Sequence, residues 1–372
     1  MKSMIYADNA ATTKLDIDAF NAMVPWLTEE YANASQPYAF ARKPKKAIAE
    51  ARKTIASCIN ALPEEIFFTS GGTESDNWAI KGTAFSGIEK KTTITSLIEH
   101  HAVLRSCEAI EKIGYPVLYL SPDKSGVITS KALESVINDK TRLVSIMFSN
   151  NEIGTIEPII ELAEVAHRYG ALFHTDAVQA VGHVEIDVKK LDVDMLSASA
   201  HKFNGPKGVG FLYIRKGISL SPFNDGGSQE SKLRAGTENV ASIVGMATAL
   251  KNNIVSMAEN QRHILKLEQQ LLAGLPEIDF VRNGYKKHIP GNISLSFRDQ
   301  DGETILHRLD LAGICVSTGS ACDSQNTQIS HVLKAIHLDE SYAKGTIRIS
   351  LGKDNTENDV REIVNTLRSL LC

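Results

Sequence analysis

At 372 residues, 43% hydrophobic and 23% charged, the chain is long enough for roughly two domains of ~100–200 residues each. A net charge of −4 offers no electrostatic footprint for nucleic acid or an anionic membrane, and no apolar run approaches the ~18 residues that a bilayer span needs. Met1–Asp8 lacks the apolar core of a secretion signal. The cysteines Cys58, Cys107, Cys315, Cys322 and Cys372 are odd in number and form no CxxC pair, which argues against a disulfide framework or a metal site and fits a reducing cytoplasm.

Strand-then-helix alternation runs from about residue 65 to about 215. Ile66–Thr69, Thr92–Thr95, Leu143–Phe148, Ala171–His174, Met195–Ala198 and Val209–Ile214 read as short buried strands, the last as an edge hairpin. Between them, Glu157–Tyr169 carries apolar residues at helical spacing, with Pro158 suited to its first turn and Gly170 to its end. Such alternation predicts an α/β fold with a mostly parallel sheet covered on both faces, and a ligand beyond the carboxyl ends of the strands. From about 255 the pattern changes to a helix Met257–Leu272, a strand Gly291–Phe297, a helix Glu303–Leu311, a strand Thr346–Ser350 and a helix Glu357–Leu371. These read as a smaller α+β domain onto which the N-terminal segment packs, so the expected division is 15–255 against 1–14 with 256–372.

Residues with chemical potential cluster where these strands end. Ser70-Gly71-Gly72-Thr73-Glu74 is either an N-capped turn with Thr73 as cap or a phosphate cradle at a helix N-terminus. His100 is either half of a solvent-facing pair with His101 or a ring that stacks on a cofactor and exchanges protons. Asn150-Asn151-Glu152 reads equally as a polar turn or a binding loop. Asp176 follows an apolar strand, where a carboxylate is costly to desolvate unless paired; it is either a helix N-cap or the partner of a buried cation. Lys202, directly after Met195–Ser199, competes with Lys207 for covalent attachment of a cofactor. A lysine and an aspartate at two strand ends are what a pyridoxal phosphate (PLP) site requires. Arg348, within an apolar strand, forms either an internal ion pair or a fork for a substrate carboxylate. Cys322 lies among small residues suited to an exposed loop, whereas Cys315, between Ile314 and Val316, reads as a buried structural thiol.

In order along the chain, Tyr6–Thr13, Thr69–Ser75, Glu99-His100, Ser149–Gly154, His174–Gln179, Ser199–Gly208, Arg234–Asn239, Gly319–Cys322 and Ile347–Ser350 together resemble the NifS/IscS-type cysteine desulfurases of the class V aminotransferase family. These are fold type I PLP enzymes with a mostly parallel seven-stranded sheet in the large domain. The resemblance implies that Lys202 anchors PLP and shuttles the substrate Cα proton, and that Asp176 pairs with the pyridinium. It further implies that Gln179 meets the ring hydroxyl and His100 stacks on the ring. Gly72, Thr73, Ser199 and His201 would bind the phosphate, joined by Thr237 from a second copy in a homodimer. Asn33, Asn151 (also beside the cofactor) and Arg348 would hold the carboxylate of L-cysteine. Cys322 would take its sulfur as a persulfide, releasing L-alanine and passing sulfur to an acceptor protein for iron–sulfur cluster, thiolated cofactor or tRNA synthesis. Selenocysteine lyase and class V aminotransferase are the alternatives. The chain departs from the family at Asn33–Tyr38, which lacks a proline and a histidine, and at Ser231, where a basic residue is usual.

Overall fold

The computed structural model describes residues 4–87, 89, 91–284, 286–319 and 329–371. The strands are β1 (Ile5–Tyr6), β2 (Ile66–Thr69), β3 (Thr92–Ser96), β4 (Val117–Leu120), β5 (Thr141–Ser145), β6 (Leu172–Asp176), β7 (Met195–Ser199), β8 (Gly210–Ile214), β9 (Phe280–Asn283), β10 (Asn292–Phe297), β11 (Ile314–Cys315) and β12 (Thr346–Ser350).

Strands β2 to β8 form a seven-stranded sheet in the order β2-β8-β7-β6-β5-β3-β4. The pairs β3–β4, β3–β5, β5–β6 and β6–β7 are parallel, and only β8 runs against its neighbours. The inner strands are buried almost end to end because helices cover both faces, enclosing Phe68, Ile94, Val144, Phe173 and Phe211. The reading of Val209–Ile214 as an edge hairpin is corrected: β8 lies between β7 and β2, and the edges are β2 and β4. That insertion matters for the site. Gly210 pairs with Thr69 on one side and Ser199 on the other, so the turn after β2 and the end of β7 meet across it. A Cβ at Gly210 would stand 2.7 Å from Gly71 Cα, so only glycine allows this approach.

A second core surrounds the antiparallel sheet β12-β10-β9, where Leu295, Phe297, Ile347 and Ile349 pack against Leu267, Leu271, Ile363 and Leu367. The helix expected at Met257–Leu272 instead spans Val240–Ala273 and is 34 residues long. Its first half buries Ile243, Met246 and Leu250 in the first core, and its second half buries Ile264 and Leu267 in the second. The N-terminal segment likewise touches both. β1 pairs in parallel with β11, after which Thr13 N donates to His201 O and Asp16 N to Asn204 O. Cys315, in β11, is half-buried rather than buried, while its neighbour Ile314 packs into the second core. Among the described residues no helix is long and apolar enough to cross a membrane.

Candidate active site

A pocket of about 540 Å³ opens at the carboxyl ends of β2, β3, β5, β6 and β7, within the size range of small-molecule sites. Its lining includes Gly72, Thr73, His100, Asn151, Asp176, Gln179, Ser199, His201 and Lys202.

One end is built for an anion. The helix Gly72–Phe85 starts with Gly71 as N-cap, at φ +149° and with no side-chain cap, so Thr73 is not the cap and the first-turn N–H groups keep their dipole for a ligand. Ser199 Oγ lies where it would meet a Gly71 Cβ at 3.4 Å. His201 Nδ1 is 3.1 Å from Thr12 Oγ1; burial, then the charges of Lys202 and Lys207, lowers its pKa to about 4.

The other end holds buried acids. Asp176, 5% exposed, accepts from Val178 N at 2.9 Å within a turn, so it is not a helix N-cap; the next helix begins only at Val188. Burial pushes its carboxyl up to about 6, opposed by that bond and by the positive charge of Lys202. Asp76 lies alongside, also on the pocket wall, with Oδ1 buried and lacking a hydrogen-bond partner. The nearest cationic candidate, His174 Nε2, is 3.7 Å away, but burial pushes His174 down to about 3, so it is neutral, bridging Ser145 Oγ and Ser197 Oγ at 2.8 and 2.9 Å. Burial first, and Asp176 second, hold Asp76 well above the carboxylate range. Glu99 accepts from Ser96 Oγ and Met147 N, yet burial raises it to about 8. Such a group of acids suits a cation placed against Asp176, as a pyridinium would be. With the anion cradle opposite and an amine between, the residues fit PLP.

The amine is well held. The turn Ala200–Lys202 follows β7, and Lys202 O lies 2.8 Å from His183 Nε2. Lys202 Nζ donates to Ala10 O and Ala11 O at 2.5 and 2.9 Å, and Gln179 Nε2 shares Ala10 O at 3.0 Å. Lys207 also lines the pocket, but it is exposed, and only Lys202 exerts its charge on Asp176 and His100. His100 is half-buried rather than solvent-facing. Its Nδ1 accepts from Ala102 N at 3.1 Å, which leaves the proton of the neutral ring on Nε2. Burial, then Lys202, lowers it to about 4, so it is neutral at physiological pH.

The remaining candidates lie off the wall. Arg348, 4% exposed, donates to Asp8 Oδ1 at 2.7 Å and to Asn151 O at 2.9 Å; it stands behind Asn151 and forms the internal ion pair. Asn33 Oδ1 accepts from Ser35 N in the loop after the helix Ile17–Thr28, and Thr237 is exposed; neither lines the pocket. Cys322 and Cys372 lie outside the described residues. Sequence reasoning passed over Asp76, Glu99 and the Ala10–Ala11 carbonyls. Asp76 left a signal, since it shares the buried stripe of its helix with Ala79, Ile80 and Thr83.

A sheet with one antiparallel strand and an acid–lysine–anion pocket at its carboxyl ends defines a class of enzyme scaffold. The chain belongs to the class-V aminotransferase family, which matches residues 5–363 and implies a PLP enzyme. It is similar to "Cysteine desulfurase IscS" of Methanosarcina thermophila, with 47% identity over 99% of this chain and 92% of the relative. A solved NifS-like protein superposes with a TM-score of 0.94, at 38% identity over 99% of both chains. A structure described as SspA in complex with cysteine gives 0.85, at 37% identity over 95% of this chain and 100% of the other.

Proposed function

We propose that the chain is a PLP-dependent cysteine desulfurase, converting L-cysteine to L-alanine and moving the sulfur onto its own Cys322. The observation that carries this reading is the 47% identity, over 99% of the chain, with a relative named cysteine desulfurase; the pocket chemistry agrees with it. PLP, when bound, supplies an electron sink for charge developing at the substrate Cα. The free N–H groups at Gly72 and Thr73, with Ser199 and His201, would hold its phosphate. Asp176 would hold a proton at the pyridine nitrogen, Gln179 would meet the ring hydroxyl, and the neutral His100 ring would cover its face. Lys202, whose positive charge acts on Asp176, would anchor the cofactor and then move the substrate Cα proton. Asn151, with Arg348 behind it, would orient the substrate carboxylate, and the family resemblance adds Asn33 to this set.

Sulfur transfer balances without an outside oxidant. The Cys322 thiolate attacks the substrate sulfur, the substrate C–S bond breaks, an S–S bond forms, and Cβ gains a proton as alanine leaves. A thiol acceptor protein, such as a carrier for iron–sulfur or thiolated products, would then take the persulfide sulfur.

A homodimer is part of the proposal, with Thr237 of a second copy completing the phosphate site. Exposed Ile17, Phe20 and Leu27 along one helix, with Tyr31 beyond it, support a face that associates. We place the protein in the cytoplasm and divide it at 15–255 against 1–14 with 256–372. The test is the purified protein incubated with PLP, L-cysteine and a dithiol. Equimolar alanine and sulfide are expected, and alanine without sulfur release, or pyruvate instead, would contradict the reading.

A further inference from the structure

Residues 320–328, which include Cys322, are joined to the rest of the chain at Gly319 and Ile329. Both described flanks lie against one side chain, Glu152. On the leaving side, Ser330 Oγ donates to Glu152 Oε2 at 2.5 Å and also accepts from Val332 N at 3.1 Å, capping the next helix. On the entering side, a Cβ at Gly319 would stand 2.5 Å from the same Oε2. Glu152 is 178 residues from Ser330, so the contact is purely tertiary.

The turn that carries this carboxylate is itself fixed. Glu152 N and Ile153 N both donate to Asn150 Oδ1, at 2.8 and 3.0 Å, while Asn150 Nδ2 donates to Ile98 O. Glu152 is 5% exposed, and its chain neighbour Asn151 is on the pocket wall. Arg348 Nη1 donates to Asn151 O at 2.9 Å. Ser317, two residues before Gly319, exchanges backbone hydrogen bonds with Arg348 at 3.0 and 2.6 Å. The pocket wall, Arg348 and both flanks of the Cys322 segment therefore meet at this one turn.

We propose that Glu152 is a positioning residue for sulfur transfer, its carboxylate holding both flanks of the Cys322 segment at a fixed place beside the pocket. This rests on the reading that Cys322 takes the sulfur. The two flank contacts of its carboxylate, to Ser330 Oγ and beside Gly319, direct its effect to the thiol step.

The experiment uses the holoenzyme with Ser330→Ala, Ser330→Thr, Gly319→Ala and Cys322→Ala. Each variant is assayed for cofactor absorbance, for its spectral response to L-cysteine, and for the single-turnover rate of sulfur arrival by intact mass after a cysteine pulse without reductant. Ser330→Ala should slow sulfur arrival ~10-fold while leaving absorbance and the cysteine response unchanged, as expected for loss of one charge-assisted bond. Ser330→Thr, which restores the hydroxyl, should recover most of the rate. Gly319→Ala should slow the same step through its clash with Glu152 Oε2. Sulfur arriving at the wild-type rate in Ser330→Ala, or slowed together with loss of cofactor, would overturn the proposal. Cys322→Ala tests the underlying reading separately: if that variant still acquires the sulfur, the reading fails whatever Ser330→Ala does.

Discussion

Replacing Asp176 by Asn should make the cofactor-free protein more stable and the loaded protein less so. Asn keeps the shape and the acceptor for Val178 N but cannot ionise. In the folded protein the Asp176 carboxyl titrates at about 6 rather than 3.8. A carboxyl with a raised folded pKa holds protons more tightly than in the unfolded chain, so stability falls as pH rises from 3.8 through about 6. The difference corresponds to roughly 3 kcal/mol at 1.36 kcal/mol per pH unit, an upper figure because Asp76 shares the site. Asp176→Asn should therefore gain ~1–3 kcal/mol over wild type above pH 6, the gain shrinking toward pH 4. Cofactor retention should move the other way. Loss of a charge-assisted contact of ~1.5–3 kcal/mol weakens binding ~10–150-fold. Chemical denaturation of cofactor-free protein across pH 4–8 reads the first effect, and equilibrium dialysis of PLP reads the second. Parallel stability profiles for variant and wild type, or unchanged PLP retention, would refute the reasoning.

Other expectations follow from the same geometry. Lys202→Ala should abolish the visible absorbance of bound cofactor while Lys207→Ala retains it; the reverse pattern would reassign the anchor. A Cβ at Gly72 would stand 2.5 Å from Val178 Cγ2, so Gly72→Ala should cut cofactor retention ~10-fold, and Gly72→Ala/Val178→Ala should restore part of it on dialysis. Arg348→Lys keeps the charge but loses the fork that reaches Asp8 and Asn151. KM for L-cysteine should rise ~10-fold with the cofactor spectrum intact, whereas an unchanged KM would leave Arg348 as a structural ion-pair residue.

The parallel core of the sheet was legible because Leu143–Val144, Ile146–Phe148 and Ala171–Phe173 are short apolar runs, Thr92–Thr95 is β-branched throughout, and polar residues follow where the chemistry lies. β4 was missed because it is an edge strand, with Leu118 40% exposed, and its residues lack the buried signature. The place of β8 was not legible locally, since its outer neighbour β2 lies far upstream and supplies no nearby turn signal. The first half of the long helix was hidden by Gly245 and by Asn252-Asn253, residues that usually weaken helices. Packing accounts for both features. A Cβ at Gly245 would stand 2.7 Å from Met23 Cγ, where the helix Ile17–Thr28 crosses, and Asn253 Nδ2 donates to Phe203 O and Ala249 O. In the pocket, Asp176 and Lys202 announced themselves by following apolar strands. Glu152 and Glu99 did not, because their importance lies in contacts with segments distant in sequence.

The central claim is that sulfur leaves cysteine onto Cys322. Its most direct test is a pulse of L-cysteine given to the PLP-loaded protein without reductant, followed by intact-mass measurement and peptide mapping. One added sulfur on the peptide containing Cys322, matched by one alanine per protein, is the predicted result. Sulfur on Cys315 or Cys372 instead, with Cys322→Ala fully active, would contradict the account.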